Sequence, residues 1–568
     1  MRQLSIQPFV WLKLLLVVGV AGGVLLPGIA AAQTSGPVRT GEFAGHVGFV
    51  GEAYSASGIS NRRDGTSGMV FGRGASQSSD VRYGFQFMLA TEQTGSRQAM
   101  NRLSANVGYR FLGVTVGDLS PVLSRFSLNG ATVRGGSAEV TYGPYLASFL
   151  YGRVRRSVDA TGSAVFGRPS FSEWLYSARI GAGKSEGSHV HLIGVVVRDD
   201  ESSLADSISA VPVENVSVTP DLGLKLFDSR LHLRATYTLA AFSGNTRANE
   251  AESGVSSMMG FFTPRVGSRI DYATDISARL RLKEFKLRAS YERVQPGFTS
   301  LGLSQTRSDQ AVIRIEPSFS LAERRANLQL RFRSSRNNLA GNRASTLKRR
   351  QLSLHGHFRL SPRVNLAAAY SNMSTRNDLN ESFAAQPIAD QRNVAQTIMV
   401  GPTFTIPSST LTHVVTLNTT YQFLRDKAPA SDPSRAVEVK FDNLAATAAY
   451  SIAFANGFSL NSSAGMLSSK TPTTDAGAMS ITVGGSTSLL QRRARLSLGG
   501  GWSRNSLDFP AEDLASLTSR QLSLRLAGSY RLPTGSQIRL TTRGLRNSGD
   551  LTGSFNELQV SLRVEHRF

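Results

Sequence analysis

Residues Ala178 to Ser185 read Ala-x-x-x-x-Gly-Lys-Ser, a relaxed form of the loop whose backbone amides cradle phosphates. That chemistry requires a buried strand before the loop and a helix after it, because the helix N-terminus supplies part of the anion site. Two His-x-His pairs, His189/His191 and His355/His357, put both imidazoles of each pair on one face of a strand, a spacing that suits a divalent metal. Neither pair has a carboxylate or a third histidine at ligand spacing nearby, and the chain has no cysteine, so neither a metal nor a cofactor is expected. A third group is a series of arginines that alternate with apolar residues: Arg234, Arg279, Arg281, Arg288, Arg331, Arg333, Arg359, Arg525 and Arg563, with Lys283, Arg539 and Arg543 in the same pattern. A guanidinium stays charged and forks onto carboxylate or phosphate, so arginines gathered around one aqueous space favour anions. No Ser/His or Asp/His arrangement stands out as a nucleophile and its base, and no enzymatic activity is expected.

The elements around these residues decide which chemistry is open to them. Before Lys184, Trp174, Tyr176, Ala178 and Ile180 alternate with Glu173, Ser177 and Arg179, and after it "SHVHLIGVVVR" is apolar and β-branched. Both flanks therefore read as strands, and "KSEG" reads as a hairpin turn, which removes the nucleotide reading. The same two-residue period runs along the chain. Leu558, Val560, Leu562 and Val564 alternate with Gln559, Ser561, Arg563 and Glu565; Leu522, Leu524 and Leu526 with Ser523 and Arg525; Leu328, Leu330 and Phe332 with Gln329, Arg331 and Arg333. These runs last about 10 to 14 residues, as a tilted membrane strand requires, against ~5 to 6 in soluble sheets.

Connections alternate too. Short turns fall near 143, 184, 228, 283, 322, 361, 407, 455, 491 and 532, and longer loops at about 158–169, 200–211, 243–267, 296–306, 337–347, 374–392, 425–436, 469–476, 506–518 and 547–553. Nearer the N-terminus, strands are expected at about 42–54, 66–74, 80–91, 101–111, 113–119 and 131–142. The expected fold is all-β: a transmembrane antiparallel up-and-down β-barrel of about 22 to 26 strands over residues 42–568, with both termini periplasmic. After Gln33 no window resembles a ~20-residue apolar helix.

The first residues combine Arg2 and Lys13 with a short apolar run and small residues at Ala30 and Ala32, which reads as a cleaved signal peptide over 1–32 followed by a short periplasmic segment, 33–41. The chain carries a net charge of +23, and only nine of its 63 bases are lysine. Such a surplus implies anionic partners. Export excludes nucleic acid and leaves lipopolysaccharide phosphates, anionic solutes or lumenal carboxylates.

With these features the chain resembles the outer-membrane β-barrel proteins of Gram-negative bacteria, porin-like in rhythm. The last strand carries the resemblance: Phe568 at the end, preceded by alternating apolar residues that include Leu562 and Val564, is similar to the signal read by the barrel assembly machinery. His566 departs from the aromatic or apolar residue usual at its place. The resemblance implies a location in the cell outer membrane, contact with outer-membrane lipid and lipopolysaccharide, and the assembly machinery as a partner during biogenesis. The stretch "GDLSPVLSRFSLNGATVRGG", Gly117 to Gly136, is similar to one in some large export barrels, including fimbrial ushers; its turn chemistry at Asn129 and Gly130 reads as an extracellular loop between two strands. Alternation begins at Phe43, which leaves no room for the plug of a TonB-dependent transporter. The function expected first is a channel for small hydrophilic, anionic solutes through an Arg-rich lumen. The alternatives are the barrel component of an export or assembly system for a polymer or protein, with periplasmic partner proteins, and a closed structural or adhesive barrel.

Overall fold

The computed structural model describes residues 43–91, 101–158, 169–204, 210–251, 260–305, 308–380, 391–426, 440–510 and 515–568. The expected signal peptide and the 33–41 segment lie outside them. Twenty-six antiparallel strands form one sheet. Each pairs with its neighbours in sequence, and the first, Phe43–Ser57, closes on the last, Phe555–Arg567. Closure leaves no edge of unpaired backbone groups, which hydrocarbon would not tolerate. The only helix among the described residues is a three-residue turn, Glu201–Ser203, and none is long and apolar enough to cross a membrane.

Register fixes which residues share a face. Leu222 and Leu224 lie opposite Ala235 and Leu233, and Leu522 lies opposite Trp502. Val483, Leu498, Leu522 and Leu524 are each more than half exposed. A continuous exterior of this kind, which water would penalise, fits contact with lipid. The other face of each strand points inward, and outside the wall lined by Leu150, Leu175, Ile193, Val195 and Val197 polar and charged residues are frequent on it. The barrel is therefore built to span a membrane.

The short turns all lie at one end of the barrel and the longer connections at the other. The seam hydrogen bonds between Gly45 and Phe568 put the start of the first strand and the end of the last at the turn end. Five of the expected loops are shorter than their estimates, and two show why. Strand Val364–Leu379 and strand Gln391–Pro407 extend into the 374–392 stretch, and Thr471–Thr474 alone connects strands where 469–476 was expected. The cause is that strands continue past the lipid into water, where both faces become polar and the alternation disappears.

The largest difference lies between Leu119 and Val133. An extracellular loop turning at Asn129 and Gly130 is expected there; instead the segment folds into the lumen. Val122–Ser124 and Leu128–Asn129 form a small inner hairpin whose tip is Arg125 to Ser127. Asn129 and Gly130 bridge to Leu303. The physical reason is composition: Leu119, Val122, Leu123, Phe126, Leu128, Ala131 and Val133 make the segment too apolar for an exposed loop.

Candidate functional site: the inner hairpin and the lumen wall

The inner hairpin is held by one wall of the barrel. Leu119, Leu128, Ala131 and Val133 pack against the inward side chains Leu150, Leu175, Ile193, Val195 and Val197. Phe126 packs with Ala240, Ala273, Val294 and Phe298, meeting the Phe298 ring edge-on at 6.2 Å. Each such buried side chain contributes on the order of 1.5–3 kcal/mol, so the hairpin is a fixed part of the wall. Residues 295–305 of a second connection clasp it. The Asn129 amide donates to the Gly302 carbonyl at 3.1 Å, and the Ser300 hydroxyl donates to the Ser127 carbonyl at 3.1 Å. Asn215 ties this clasp to the wall, donating to the Thr299 carbonyl at 3.1 Å and accepting from the Leu301 amide at 3.2 Å.

At the hairpin tip, Arg125 spans two wall carboxylates, Asp275 at 2.6 Å and Glu292 at 2.6 Å. Register explains the pairing, since Asp275 and Glu292 lie directly opposite each other on adjacent strands. Glu292 also accepts from Arg314 at 3.0 Å and Gln310 at 3.1 Å. Two like charges facing each other repel unless a cation sits between them, and Arg125 supplies it.

All nine arginines selected from the sequence lie on the inward face. Arg234 forks onto Asp221 at 3.0 and 2.8 Å, Arg288 reaches Glu316 at 3.6 Å, and Arg563 reaches Glu565 at 3.0 Å. Arg331 donates to Gln329 at 3.2 Å. Arg279, Arg281, Arg359 and Arg525 have no ion-pair partner among the described residues. The structure gathers them into two groups. Arg279 faces Arg288, Arg281 faces Lys286, and Arg333 faces Arg314 on one side. Arg525 faces Arg543 and Arg539 faces Arg563 on the other. Lys283 departs from the pattern, because it sits in the turn between two strands. Between the groups the wall is small and polar: Thr447, Gly465, Ser480 and Ser503 align across four strands, and none is buried.

The assembly-signal residues occupy the seam strand. Leu562 and Val564 share the outward face, and Phe568 stacks on Phe43 with ring centroids 5.3 Å apart. His566 reaches the Ser536 hydroxyl at 2.8 Å through Nδ1, which gives its departure from an apolar residue a local role. Gly183 ends one strand, and Lys184 and Ser185 begin the connection to the next, which starts at His189, so a strand and not a helix follows the loop.

Sequence reasoning missed the contact of Arg125 with Asp275 and Glu292, because nothing local says that residues so far apart in the chain meet. A signal for the hairpin existed in the apolar, non-alternating composition of 119–133. On the outward face at the loop end, Arg504 lies opposite Arg520, and Arg546 sits on the next strand opposite Leu522. None of the three has an ion-pair partner among the described residues, whereas Lys348 pairs with Asp378 at 2.8 Å and Arg425 with Asp442 at 2.8 Å on the same rim.

No family model matches the chain, and no curated protein matches it. Among solved structures it is similar to OccAB2 of Acinetobacter baumannii, at 12% identity over 70% of this chain and 97% of that one, with a TM-score of 0.31. OpdK of Pseudomonas aeruginosa, solved with vanillate, matches at 10% identity over 63% of this chain and 93% of its own, with a TM-score of 0.31. OccD3 (OpdP) of the same organism matches at 10% identity over 95% of each chain, with a TM-score of 0.27. Similarity at this level leaves the functional reading to the barrel and its lumen.

Proposed function

We propose that the protein is an outer-membrane channel that passes small hydrophilic solutes and prefers anions. One observation carries the reading: among the described residues, the inner hairpin covers one wall of a wide barrel, while a small polar wall flanked by inward arginines without ion-pair partners stays uncovered. Solutes cross along that uncovered wall. Arg279, Arg281, Arg359 and Arg525 keep their charge in any lumen and raise anion occupancy there. The turn end and both chain termini face the periplasm, and the loop end faces the medium. Arg504, Arg520 and Arg546 meet lipopolysaccharide phosphates just above the apolar belt, and Phe568 presents the last strand to the barrel assembly machinery. The proposal assigns transport and no catalysis. Its test is conductance of the purified full chain in a planar bilayer: discrete open-channel steps support it, and a silent bilayer containing folded protein refutes it in favour of a closed structural barrel.

A further inference from the structure

We infer that His189, His191 and Asp221 form a site for one divalent transition-metal ion of the zinc type on the inward face of the barrel wall. The three come from two adjacent strands, His189–Asp200 and Glu214–Leu226, whose register puts Asp221 directly opposite His191. Their ligand atoms lie within 4.8 Å of one another. They are 4%, 2% and 2% exposed, so water does not satisfy them.

The tautomers follow from the partners. His189 Nδ1 lies 3.0 Å from the Gly187 carbonyl, and His191 Nε2 lies 2.9 Å from the Gly183 carbonyl. A carbonyl only accepts, so each of these nitrogens carries the hydrogen, and the opposite nitrogen of each ring presents a lone pair. Donation of the second ring N–H to a backbone carbonyl is the arrangement that orients histidines for metal binding. His189 Nε2 is buried and has no hydrogen-bond partner. Its distance to Asp221 Oδ2 is 3.5 Å. That is long for a hydrogen bond and near the ~3.3–3.4 Å expected between two donors that share one ion at ~2.0–2.1 Å in tetrahedral geometry.

The surroundings fix the rings. They stack with centroids 4.6 Å apart, and a Cβ at Gly181 or Gly223 would collide with the ring of His191 or His189 respectively. Arg234 forks onto both oxygens of Asp221 and sets the carboxylate plane, and the remaining lone pairs of that carboxylate are enough for one metal bond. Imidazole with carboxylate suits zinc rather than calcium or magnesium. Three protein ligands leave a fourth position for water.

The test uses the folded full chain in detergent, stripped with EDTA and titrated with ZnCl2 by calorimetry. One zinc per chain is expected, with affinity falling ~10- to 100-fold or more in His189→Gln and His191→Gln and unchanged in the His355→Gln/His357→Gln double variant. Failure of the wild type to bind zinc, or loss only in the His355/His357 variant, overturns the inference. If the His189 and His191 variants do not fold, the Co2+ spectrum of the wild type decides: intense four-coordinate bands sustain the site, and the weak bands of six-coordinate cobalt refute it. Neither readout depends on conductance, so the channel can fail while the metal site stands.

Discussion

Two stretches of the same wall follow the same strand rhythm and face the lumen differently. Between Leu146 and Ser318 the inward positions include Leu150, Leu175, Ile193, Val195 and Val197, all buried under the inner hairpin. Between Lys440 and Asp508 they include Thr447, Ser463, Ser480, Thr482 and Ser503, and none of these is buried by the described residues. A strand buried on both faces loses its alternation, and "LIGVVV" shows that loss. The lesson is that an inward apolar residue in a barrel marks the part of the wall that another segment of the chain must occupy.

The largest effect should come from removing the cover. Replacing residues 121–131 with a short Gly/Ser linker leaves the 26-strand ladder intact and should raise single-channel conductance several-fold. Unchanged conductance would mean that the hairpin does not narrow the path. Next comes the anchor of that cover. Arg125→Ala leaves Asp275 and Glu292 facing each other with their shared cation gone, and breaking such a buried pair costs about 3–5 kcal/mol. Arg125 is 44% exposed, which places the loss at the low end. Proteolysis within 119–133 should rise sharply while the barrel stays heat-modifiable on a gel; a protease-resistant hairpin in this variant would contradict the anchoring role.

A smaller effect is expected where the barrel closes. Deleting Phe568 removes its ring from Phe43 and its two backbone bonds to Gly45, so outer-membrane levels should fall through both assembly and seam strength. Normal levels would leave the residue without either role. The smallest effect concerns a tie between loops. Glu201 is held below the usual carboxylate range, first by a hydrogen bond from the Thr246 hydroxyl and then by Arg247. A depressed folded pKa gives stability that is present above the ordinary glutamate range and lost as pH falls through the depressed value. Hydrogen exchange around 200–204 and 245–248 should therefore quicken only under acid conditions, and Glu201→Gln should abolish that dependence.

Much of the fold was legible. Strand starts and ends near the N-terminus fall within a few residues of the alternation, as with Thr66–Ser78 and Leu112–Leu119, and every expected turn joins two strands. Period two and turn chemistry are local properties, and a barrel is built from local hairpins. The inner hairpin left only its apolar composition as a signal, and its contacts and the His189, His191 and Asp221 cluster were not legible, because both depend on segments brought together only by closure. His191 gives no hint of Asp221 until the register of the next strand is known. The inward arginines stand between these cases: alternation placed their face, while Asp221, Glu316 and Glu565, which partner three of them, belong to register or to neighbouring inward positions.

The central claim is that anions cross along the uncovered wall under the influence of unpaired arginines. Its most direct measurement is the reversal potential under a KCl gradient, for the wild type and for a variant with Arg279, Arg281, Arg359 and Arg525 replaced by glutamine. The wild type should favour chloride. That preference should weaken in the variant, and also with salt as the Debye length falls from ~10 Å at 0.1 M to ~3 Å at 1 M. A cation-selective pore, or a chloride preference that the variant keeps in full, would contradict the account.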